Sequence, residues 1–257
     1  MTLAEKAERL LAAHHGESPL LLANVWDAAS ARSVEAAGFD FVATSSRAVA
    51  QVLGEADDDS SDPDLVLSFT ERIARAVSVP VTADLEAGLG LAPTELVERM
   101  LRAGVVGCNL EDTNHHGGGG LVDADRQAAY LAELRAAAER QGVHVVLNAR
   151  TDPFLGRAGQ ESGPLEEAVR RGQLYFQAGA DCVYPMAVAR QEDVAALVEA
   201  LPGPLNFLAR RGGLSIAELT ALGARRISLA SGVFQLIADR LGEVATALAG
   251  GAGLDDL

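Results

Sequence analysis

Cysteine is scarce in this sequence, and basic residues are outnumbered by acidic ones. Only two cysteines occur among 257 residues, Cys108 and Cys182, and each lies inside an apolar run, which is typical of buried, unreactive thiols. No disulfide framework is implied, and this fits a reducing cytoplasm. The formal net charge of −15 argues against nucleic acid or an anionic membrane as a partner, because both bind basic surfaces.

Long apolar runs are also missing. No stretch approaches the roughly 20 apolar residues of a membrane-spanning helix, and residues 1–11 form a charged amphipathic pattern without the apolar core of a signal peptide. We therefore expect a soluble, cytoplasmic protein. Apolar residues still make up 49% of the chain, which is ample for a core. We expect one domain over residues 1–257, with a loose tail at residues 249–257.

Eight short apolar, β-rich runs alternate with helical patterns along the chain. They cover residues 20–25, 39–44, 79–83, 105–110, 144–149, 181–184, 205–209 and 226–230. Six of them follow a small or glycine-containing helix terminus, which is the expected stop signal. Apolar strands that alternate with amphipathic helices indicate a parallel sheet covered on both faces. The pattern predicts a (β/α)8 TIM-type barrel, with an open doubly wound sheet as the weaker alternative.

Polar residues gather where these predicted strands end, which is where (β/α)8 barrels place their chemistry. Asp84 and Glu86 follow the third strand, and Glu111 and Asp112 follow the fourth. Clustered carboxylates are unfavourable unless a cation lies between them, and Mg²⁺ prefers carboxylate, water and substrate oxygens. The sequence therefore predicts a magnesium-dependent enzyme for a small anionic substrate. Helix caps and surface ion pairs are the structural alternative for these carboxylates.

Two long loops accompany these strands. The loop at residues 51–65 carries an acidic run that we expect to be mostly a solvated surface. The loop at residues 113–123 contains His115 and His116 followed by four glycines, Gly117 to Gly120, which suits a mobile lid. Either histidine can act as an acid or base near neutral pH, or both can be exposed polar residues. A zinc site made from two adjacent histidines is a weaker alternative.

The motifs together resemble the isocitrate lyase and phosphoenolpyruvate mutase superfamily over residues 20–241. They are Asn24-Val-Trp-Asp-Ala-Ala-Ser30, Ala43-Thr-Ser-Ser46, Leu53-Gly54 with Asp57, Asp84-Leu-Glu-Ala-Gly-Leu-Gly90, Asn109-Leu-Glu-Asp112 and Asn148-Ala-Arg150. The resemblance implies a (β/α)8 barrel, assembled as a homodimer or homotetramer whose subunits exchange their last helix. It also implies an enzyme that binds a 2-oxo or enolate-like carboxylate on Mg²⁺, with Mn²⁺ as the alternative ion.

The resemblance further implies roles for individual residues. Asp84 would bind the metal, with Glu86 and Glu111 holding it directly or through water. Asp57, Glu111 and Arg150 would form the catalytic group, with Asp57 near metal-bound water or the substrate. The remaining substrate contacts would come from Ser45, Ser46, Arg47, Asn206 and Trp26, together with Asp84 and Arg150. Backbone amides around Ser45 to Arg47 would cradle the substrate carboxylate, and Asn206 would contact its distal part. A salt bridge from Arg150 to Asp152 or Glu111 is the structural alternative.

The sequence departs from the family pattern after the fourth strand. The lyases carry a Lys-Cys-Gly-His-type loop whose cysteine is the general acid, whereas residues 113–120 contain neither cysteine nor lysine. Ser46 and Arg47 stand where many relatives have glycine, and Met186 stands where methylisocitrate lyases are acidic. We therefore expect a lyase or hydrolase for an oxaloacetate- or 2-oxoglutarate-like acid. The alternatives are P–C bond chemistry of the phosphonopyruvate hydrolase or mutase kind, and a binding protein without turnover.

Overall fold

The computed structural model describes residues 1–156 and 163–257. Its strands are β1 (Leu20–Leu22), β2 (Asn24–Val25), β3 (Val42–Thr44), β4 (Val81–Asp84), β5 (Gly107–Glu111), β6 (Val146–Thr151), β7 (Cys182–Pro185), β8 (Asn206–Leu208) and β9 (Arg226–Ser228). Its helices are α1 (Leu3–Ala13), α2 (Ala28–Ala36), α3 (Ser46–Leu53), α4 (Pro63–Arg75), α5 (Pro93–Arg102), α6 (Ala124–Arg140), α7 (Pro164–Gln177), α8 (Gln191–Ala200), α9 (Ile216–Ala221) and α10 (Gly232–Ala249).

The strands form a closed parallel barrel. One sheet has the order β2-β3-β4-β5-β6-β7 and the other the order β1-β9-β8, with every pairing parallel. The two sheets join at the bridge between Val183 and Leu205, and at Ala23, where the chain passes from β1 to β2. This confirms the predicted (β/α)8 barrel, because β1 and β2 together make one of its eight staves.

The first stave differs from the expected single strand at residues 20–25. Its lower half pairs with β9 and its upper half pairs with β3, so the segment changes hydrogen-bonding partners at Ala23. Asn24 stabilises this junction, since its Nδ2 donates to Thr44 O at 2.9 Å and its Oδ1 accepts from Leu229 N at 2.8 Å. The seam of the barrel is therefore held by a buried side chain rather than by continuous strand pairing.

Helix starts follow ordinary capping chemistry. Thr2 and Ser215 form capping boxes with Glu5 and Glu218, and Asp62 accepts from Asp64 N just before Pro63 opens α4. These caps satisfy amides that have no partner inside the helix. The starting points of these helices are thereby fixed, and α9 begins after a strand-end loop.

The apolar core has two parts. The larger lies between the barrel and its surrounding helices and includes Leu96, Met100 and Leu134. The smaller closes the lower end of the barrel, where Leu10 of α1 packs near the beginnings of the strands. Gly107 permits this close approach, because a Cβ there would lie 2.8 Å from Leu10 Cδ2 and 3.0 Å from Thr82 Oγ1. Because α1 closes that end, the barrel interior opens at the opposite end, where the carboxyl ends of the strands lie.

The end of the chain is exposed. After α10, residues Leu254–Asp256 form a single 3₁₀ turn, and Leu254 is 79% exposed. The single-domain organisation and the looseness of residues 249–257 stay predictions. Within the described ranges, 1–156 and 163–257, we find no helix with both the length and the apolar character that crossing a bilayer requires.

Candidate active site

Asp84, the last residue of β4, lies at the centre of the polar side chains at the upper end of the barrel. Its Oδ2 accepts from Ser46 N at 3.1 Å and Ser46 Oγ at 2.9 Å, and its Oδ1 accepts from Asn109 Nδ2 at 2.7 Å. Its own amide donates to Thr44 Oγ1 at 2.9 Å. Two neighbouring staves and the first turn of α3 therefore fix the orientation of this carboxylate.

The turn after β4 has a strained backbone. Glu86 and Leu89 adopt positive φ angles of 52° and 56°, a conformation that non-glycine residues rarely take. Asp59 holds this turn, since its Oδ1 accepts from Ala87 N at 3.2 Å and from Leu89 N at 2.9 Å. Its own amide donates to the Glu86 carboxylate. Asp59 is 6% exposed, so this one member of the acidic loop is a buried structural group rather than part of a solvated surface.

The negative charges of this region are crowded together. Burial raises the pKa of the Glu86 carboxyl to about 8, and the charges of Asp57 and Asp84 act in the same direction. Removal of water around the Asp57 carboxyl raises its pKa as well, and Asp84 adds to that effect. A cation placed here would stabilise the ionised forms of all these groups.

Glu111 and Arg150 face each other across β5 and β6. They are register partners, and their side chains form an ion pair. Arg150 also holds Asp152 in a bidentate pair, with Nε to Oδ1 at 2.7 Å and Nη2 to Oδ2 at 2.8 Å. Burial lowers the pKa of Arg150, but the charges of Glu111 and Asp152 outweigh it and hold the pKa above its usual range. Arg150 therefore forms the salt bridges of the structural alternative, with Glu111 and Asp152 at the same time.

Asp112 is separate from the neighbouring carboxylates of the cluster. It is fully buried and accepts from Thr151 Oγ1 at 2.7 Å, Tyr175 OH at 2.7 Å and Arg171 Nη1 at 3.1 Å. Its side chain lies on the helix side of β5, because adjacent strand residues point to opposite faces. The expectation that Asp112 belongs with the strand-end carboxylates is therefore wrong, and the residue anchors α7 to the barrel instead.

The remaining predicted substrate contacts fall in different places. Ser45 caps α3, with its hydroxyl accepting from Ala48 N, and Ser46 is bonded to Asp84. Arg47 is exposed on the first turn of the same helix, whose amide end favours anions. Trp26 is half-buried and packs edge-on against Phe234 of α10, with ring centroids 5.1 Å apart.

One cavity inside the barrel joins several of these residues. It has a volume of about 40 Å³, and Asp84, Arg150 and Asn206 are among the residues that line it. Asn206 is 1% exposed, and its Oδ1 accepts from Ser228 Oγ at 3.2 Å. Met186 lines the same cavity. A second, smaller space beside α3 is lined by Ser46, Asp84 and Glu86, so Asp84 borders both.

The glycine-rich loop folds back onto the carboxylates. His115 Nε2 lies 2.5 Å from Glu111 Oε1, and His116 Nε2 lies 3.3 Å from Asp59 Oδ2. An antiparallel bridge between Thr113 and Leu121 closes the base of the loop. The hydrogen bond to Glu111 raises the pKa of the His115 imidazole, with burial opposing it. The two histidines point to different carboxylates, and a closing motion of this loop stays a prediction.

The carboxylate set suits a hard cation bound partly through water. Asp84, Glu86 and Glu111 offer oxygen ligands only, which fits Mg²⁺ or Mn²⁺ better than soft metals. In the part of the chain that the structure describes, residues 1–156 and 163–257, no three Asp, Glu, His or Cys side chains converge to hold an ion directly. Mg²⁺ usually keeps several waters and binds to one or two carboxylates. The assignment of metal ligands stays a prediction.

Asp59 and the buried polar residues of the lumen were not predicted from the sequence. Asp59 is one of three consecutive aspartates, and nothing in the run distinguishes it from its exposed neighbours. Arg226 gave a signal, since a charged residue opens an otherwise apolar strand and lines the cavity beneath Asp84. Tyr184 lines the same cavity.

Residues 10–249 match the family model described as phosphoenolpyruvate phosphomutase. The chain belongs to the phosphoenolpyruvate phosphomutase family. Members of the same superfamily recur among the solved structures, including a 2,3-dimethylmalate lyase with 27% identity and a TM-score of 0.85, covering 98% of this chain and 91% of that one.

Two further relatives indicate the range of chemistry within this family. The oxaloacetate decarboxylase of Rhodopseudomonas palustris strain BisB18 is 31% identical over 247 residues, which is 90% of this chain and 79% of that protein. A candidate phosphonomutase from Burkholderia cenocepacia J2315 has 37% identity and a TM-score of 0.87, covering 94% of this chain and 99% of that one. This chain is therefore similar both to enzymes of C–C bonds and to a protein assigned to P–C bonds.

Proposed function

We propose that this family member is a magnesium-dependent lyase or hydrolase that acts on a small 2-oxo or 2-hydroxy carboxylate through an enolate. The observation that carries the proposal is the charge arrangement around Asp84. Asp57, Glu86, Glu111 and Arg150 all lie close enough to the Asp84 charge for it to act on their pKa values. Such perturbed groups at the carboxyl ends of barrel strands are typical of active sites.

Asp84 is the residue that we propose binds Mg²⁺, with Glu86 and Glu111 acting through water. When bound, Mg²⁺ would polarise the substrate oxygens and stabilise the negative charge that an enolate carries. Asp59 supports this role because it fixes the turn that carries Glu86. Ser46 and Asn109 orient the Asp84 carboxylate from two sides.

Arg150 is proposed to hold the substrate oxygens. Its guanidinium is always charged and has a fixed fork of donors, and Asp152 fixes the orientation of that fork through two hydrogen bonds. Thr113 Oγ1 donates to Asp152 Oδ2 at 2.5 Å, so the orienting group is itself held in place. A donor fixed before reaction stabilises developing charge without reorganisation. The amides at the start of α3, around Ser46 and Arg47, are proposed to receive the substrate carboxylate.

His115 is the group that we propose handles the proton, in the place of the absent loop cysteine. It lies four residues after the end of β5 and is hydrogen-bonded to Glu111, whereas the His116 side chain is 66% exposed. Histidine exchanges protons near neutral pH more readily than any other side chain. The polar contacts of the loop thus favour His115 over His116.

A substrate panel tests the proposal. Oxaloacetate, a 2,3-dialkylmalate and phosphonopyruvate would be incubated with enzyme and Mg²⁺, and pyruvate, carbon dioxide, 2-oxo acid and phosphate would be measured. We expect products of C–C bond cleavage with the wild type and none with the Arg150→Ala variant. The variant also controls for oxaloacetate breakdown by free Mg²⁺. Phosphate from phosphonopyruvate would favour the alternative of P–C bond chemistry. The similarity to the Burkholderia candidate phosphonomutase supports that alternative. Tight oxalate binding without any product would favour a binding protein.

We propose that the protein forms a homo-oligomer and acts in the cytoplasm. Every residue of α10 is at least partly exposed, and Leu236, Ile237 and Leu241 are 44%, 56% and 66% exposed. A row of exposed apolar side chains on one helix favours contact with another subunit. We propose a homodimer or homotetramer in which α10 contributes to the interface, and light scattering would measure its mass.

A further inference from the structure

An arginine lies in the barrel interior without an ion-pair partner among the described residues. Arg226, the first residue of β9, is 3% exposed, and its Nε and Nη1 atoms have no hydrogen-bond partner among the described residues. Within residues 1–156 and 163–257, no carboxylate forms an ion pair with it. A guanidinium stays charged throughout the physiological pH range. A buried charged group whose donors lack acceptors is strongly unfavourable. Binding of an acceptor that the protein itself does not supply would therefore be favourable at this position.

The space next to Arg226 is the same 40 Å³ cavity, and other unpartnered polar atoms line it. Tyr184 OH, Thr82 Oγ1 and Asn148 Oδ1 are buried without a hydrogen-bond partner among the described residues. A cavity of roughly 10–15 Å³ is enough to hold one water molecule. The cavity therefore has room for more than one water-sized group, and each of four side chains around it has at least one polar atom without a partner among the described residues.

The chemistry of these atoms favours an anion over water alone. Arg226 can only donate, and the Tyr184 hydroxyl can also donate, so both suit an acceptor. Water would accept these hydrogen bonds, but it would leave the guanidinium charge uncompensated. Asn148 Oδ1 is an obligate acceptor, and a water beside the anion would satisfy it.

The nearest catalytic carboxylate does not pair with Arg226. Asp84 lines the same cavity and its charge acts on Arg226, but the two side chains form no ion pair, and Ser46 and Asn109 hold the Asp84 carboxylate in place. Arg226 is at the beginning of its strand, whereas Asp84 and Arg150 are at or near the ends of theirs. The unpaired charge therefore lies deeper in the barrel than the catalytic groups.

We propose that the barrel interior binds one small monovalent inorganic anion of chloride size, held by Arg226 and the hydroxyl of Tyr184. The site is linked to the catalytic end, since Asn148 Nδ2 donates to Asn109 Oδ1 at 2.9 Å and Asn109 donates to Asp84. Occupancy would stabilise the folded barrel and fix the amides behind Asp84. This inference is independent of the reaction proposed above.

Bromide, a heavier halide that replaces chloride, gives a direct test by diffraction. Crystals of the full chain would be grown in sodium bromide, and anomalous scattering would be measured at the bromine absorption edge. We expect a peak within hydrogen-bonding distance of Arg226 and Tyr184. Water alone at that position, with no anomalous signal, would overturn the proposal, and so would bromide found only beside Arg150.

Thermal unfolding provides a second test in solution. The unfolding midpoint would be compared in sodium chloride, sodium bromide and sodium gluconate at equal ionic strength. We expect halides to raise the midpoint in a saturable way, and gluconate, which is too large for the cavity, to have no such effect. An equal midpoint in all three salts would contradict the site.

Two variants and a control assign the effect to residues. Tyr184→Phe keeps the ring but loses one donor, so the halide concentration for half-maximal stabilisation should rise about tenfold. Arg226→Met should abolish the halide effect, and Arg225→Met, which alters the exposed neighbour, should leave it unchanged. If Arg226→Met does not fold, Tyr184→Phe and the bromide crystals decide. Unchanged halide dependence in Tyr184→Phe, together with no bromide peak, would refute the proposal.

Discussion

His14 should make this protein less stable at acid pH. It lies just after α1 at the closed end of the barrel, is 1% exposed, and its Nδ1 is 2.9 Å from Leu10 O. Burial lowers the pKa of His14 from 6.5 to about 4, and the charge of Arg226 acts in the same direction. The unfolded chain therefore takes up a proton between pH 6.5 and pH 4 that the folded chain does not. The contribution of neutral His14 to the free energy of unfolding is fully present above pH 6.5 and is lost as the pH falls from 6.5 to 4.

The size of the effect follows from the shift. A pKa change of about 2.5 at roughly 1.4 kcal/mol per unit corresponds to at most about 3.5 kcal/mol, and to about 3 kcal/mol at pH 4, where the folded His14 is itself half protonated. The free energy of unfolding would be measured in urea at pH 7.5 and pH 4 for the wild type and His14→Leu. Other titrating groups cancel in the difference between the two proteins. That difference should shift by about 3 kcal/mol in favour of His14→Leu at the lower pH.

The adjacent histidine is the matched control. His15 is exposed, so His15→Leu should track the wild type at both pH values within about 0.5 kcal/mol. The loss of the hydrogen bond to Leu10 O adds a constant offset to His14→Leu at every pH. A difference between wild type and His14→Leu that stays constant with pH would refute the account of a neutral, buried His14.

Three further predictions concern the site and its supports. Asp112→Ala removes one partner of a buried charge pair and should lower the free energy of unfolding by about 3–5 kcal/mol in urea titrations. Glu243→Gln, in an exposed pair, should lower it by less than about 1 kcal/mol. Equal losses in the two variants would contradict the buried network. Asp59→Ala releases the turn that carries Glu86, so Mg²⁺ binding measured by calorimetry should weaken at least about tenfold, and the exposed neighbour Asp58→Ala should match the wild type. Arg150→Lys keeps the charge but loses the fork, so kcat/KM should fall about 10²-fold or more, and wild-type kinetics in this variant would remove Arg150 from the reaction.

The barrel was predictable because its signals are local and repeated. Apolar runs followed by polar strand ends mark the staves, and the ends of β4, β5 and β6 place Asp84, Glu111 and Arg150 as expected. Strand alternation also explains the error for Asp112. It adjoins Glu111 in sequence, yet it points to the opposite face and pairs with Arg171. Sequence proximity at a strand end does not mean proximity in the site.

Other features depend on contacts between distant segments. Asp59 is distinguished from Asp57 and Asp58 only because the turn after β4 presents unpaired amides to it. The split of the first stave depends on its two neighbours in the closed barrel. The isolation of Arg226 is likewise a property of the whole lumen, since any of the strands facing it could have supplied a carboxylate. Such features follow from closure of the barrel rather than from local pattern.

Oxalate, a planar mimic of the pyruvate enolate, gives the most direct test of the proposed metal and enolate site. Calorimetry would measure oxalate binding to the wild type with Mg²⁺, with EDTA, and with Mg²⁺ in the Arg150→Ala variant. We expect binding only when Mg²⁺ is present, and at least about tenfold weaker binding in the variant. Oxalate binding that is equal with Mg²⁺ and EDTA, or absent in both, would contradict the account.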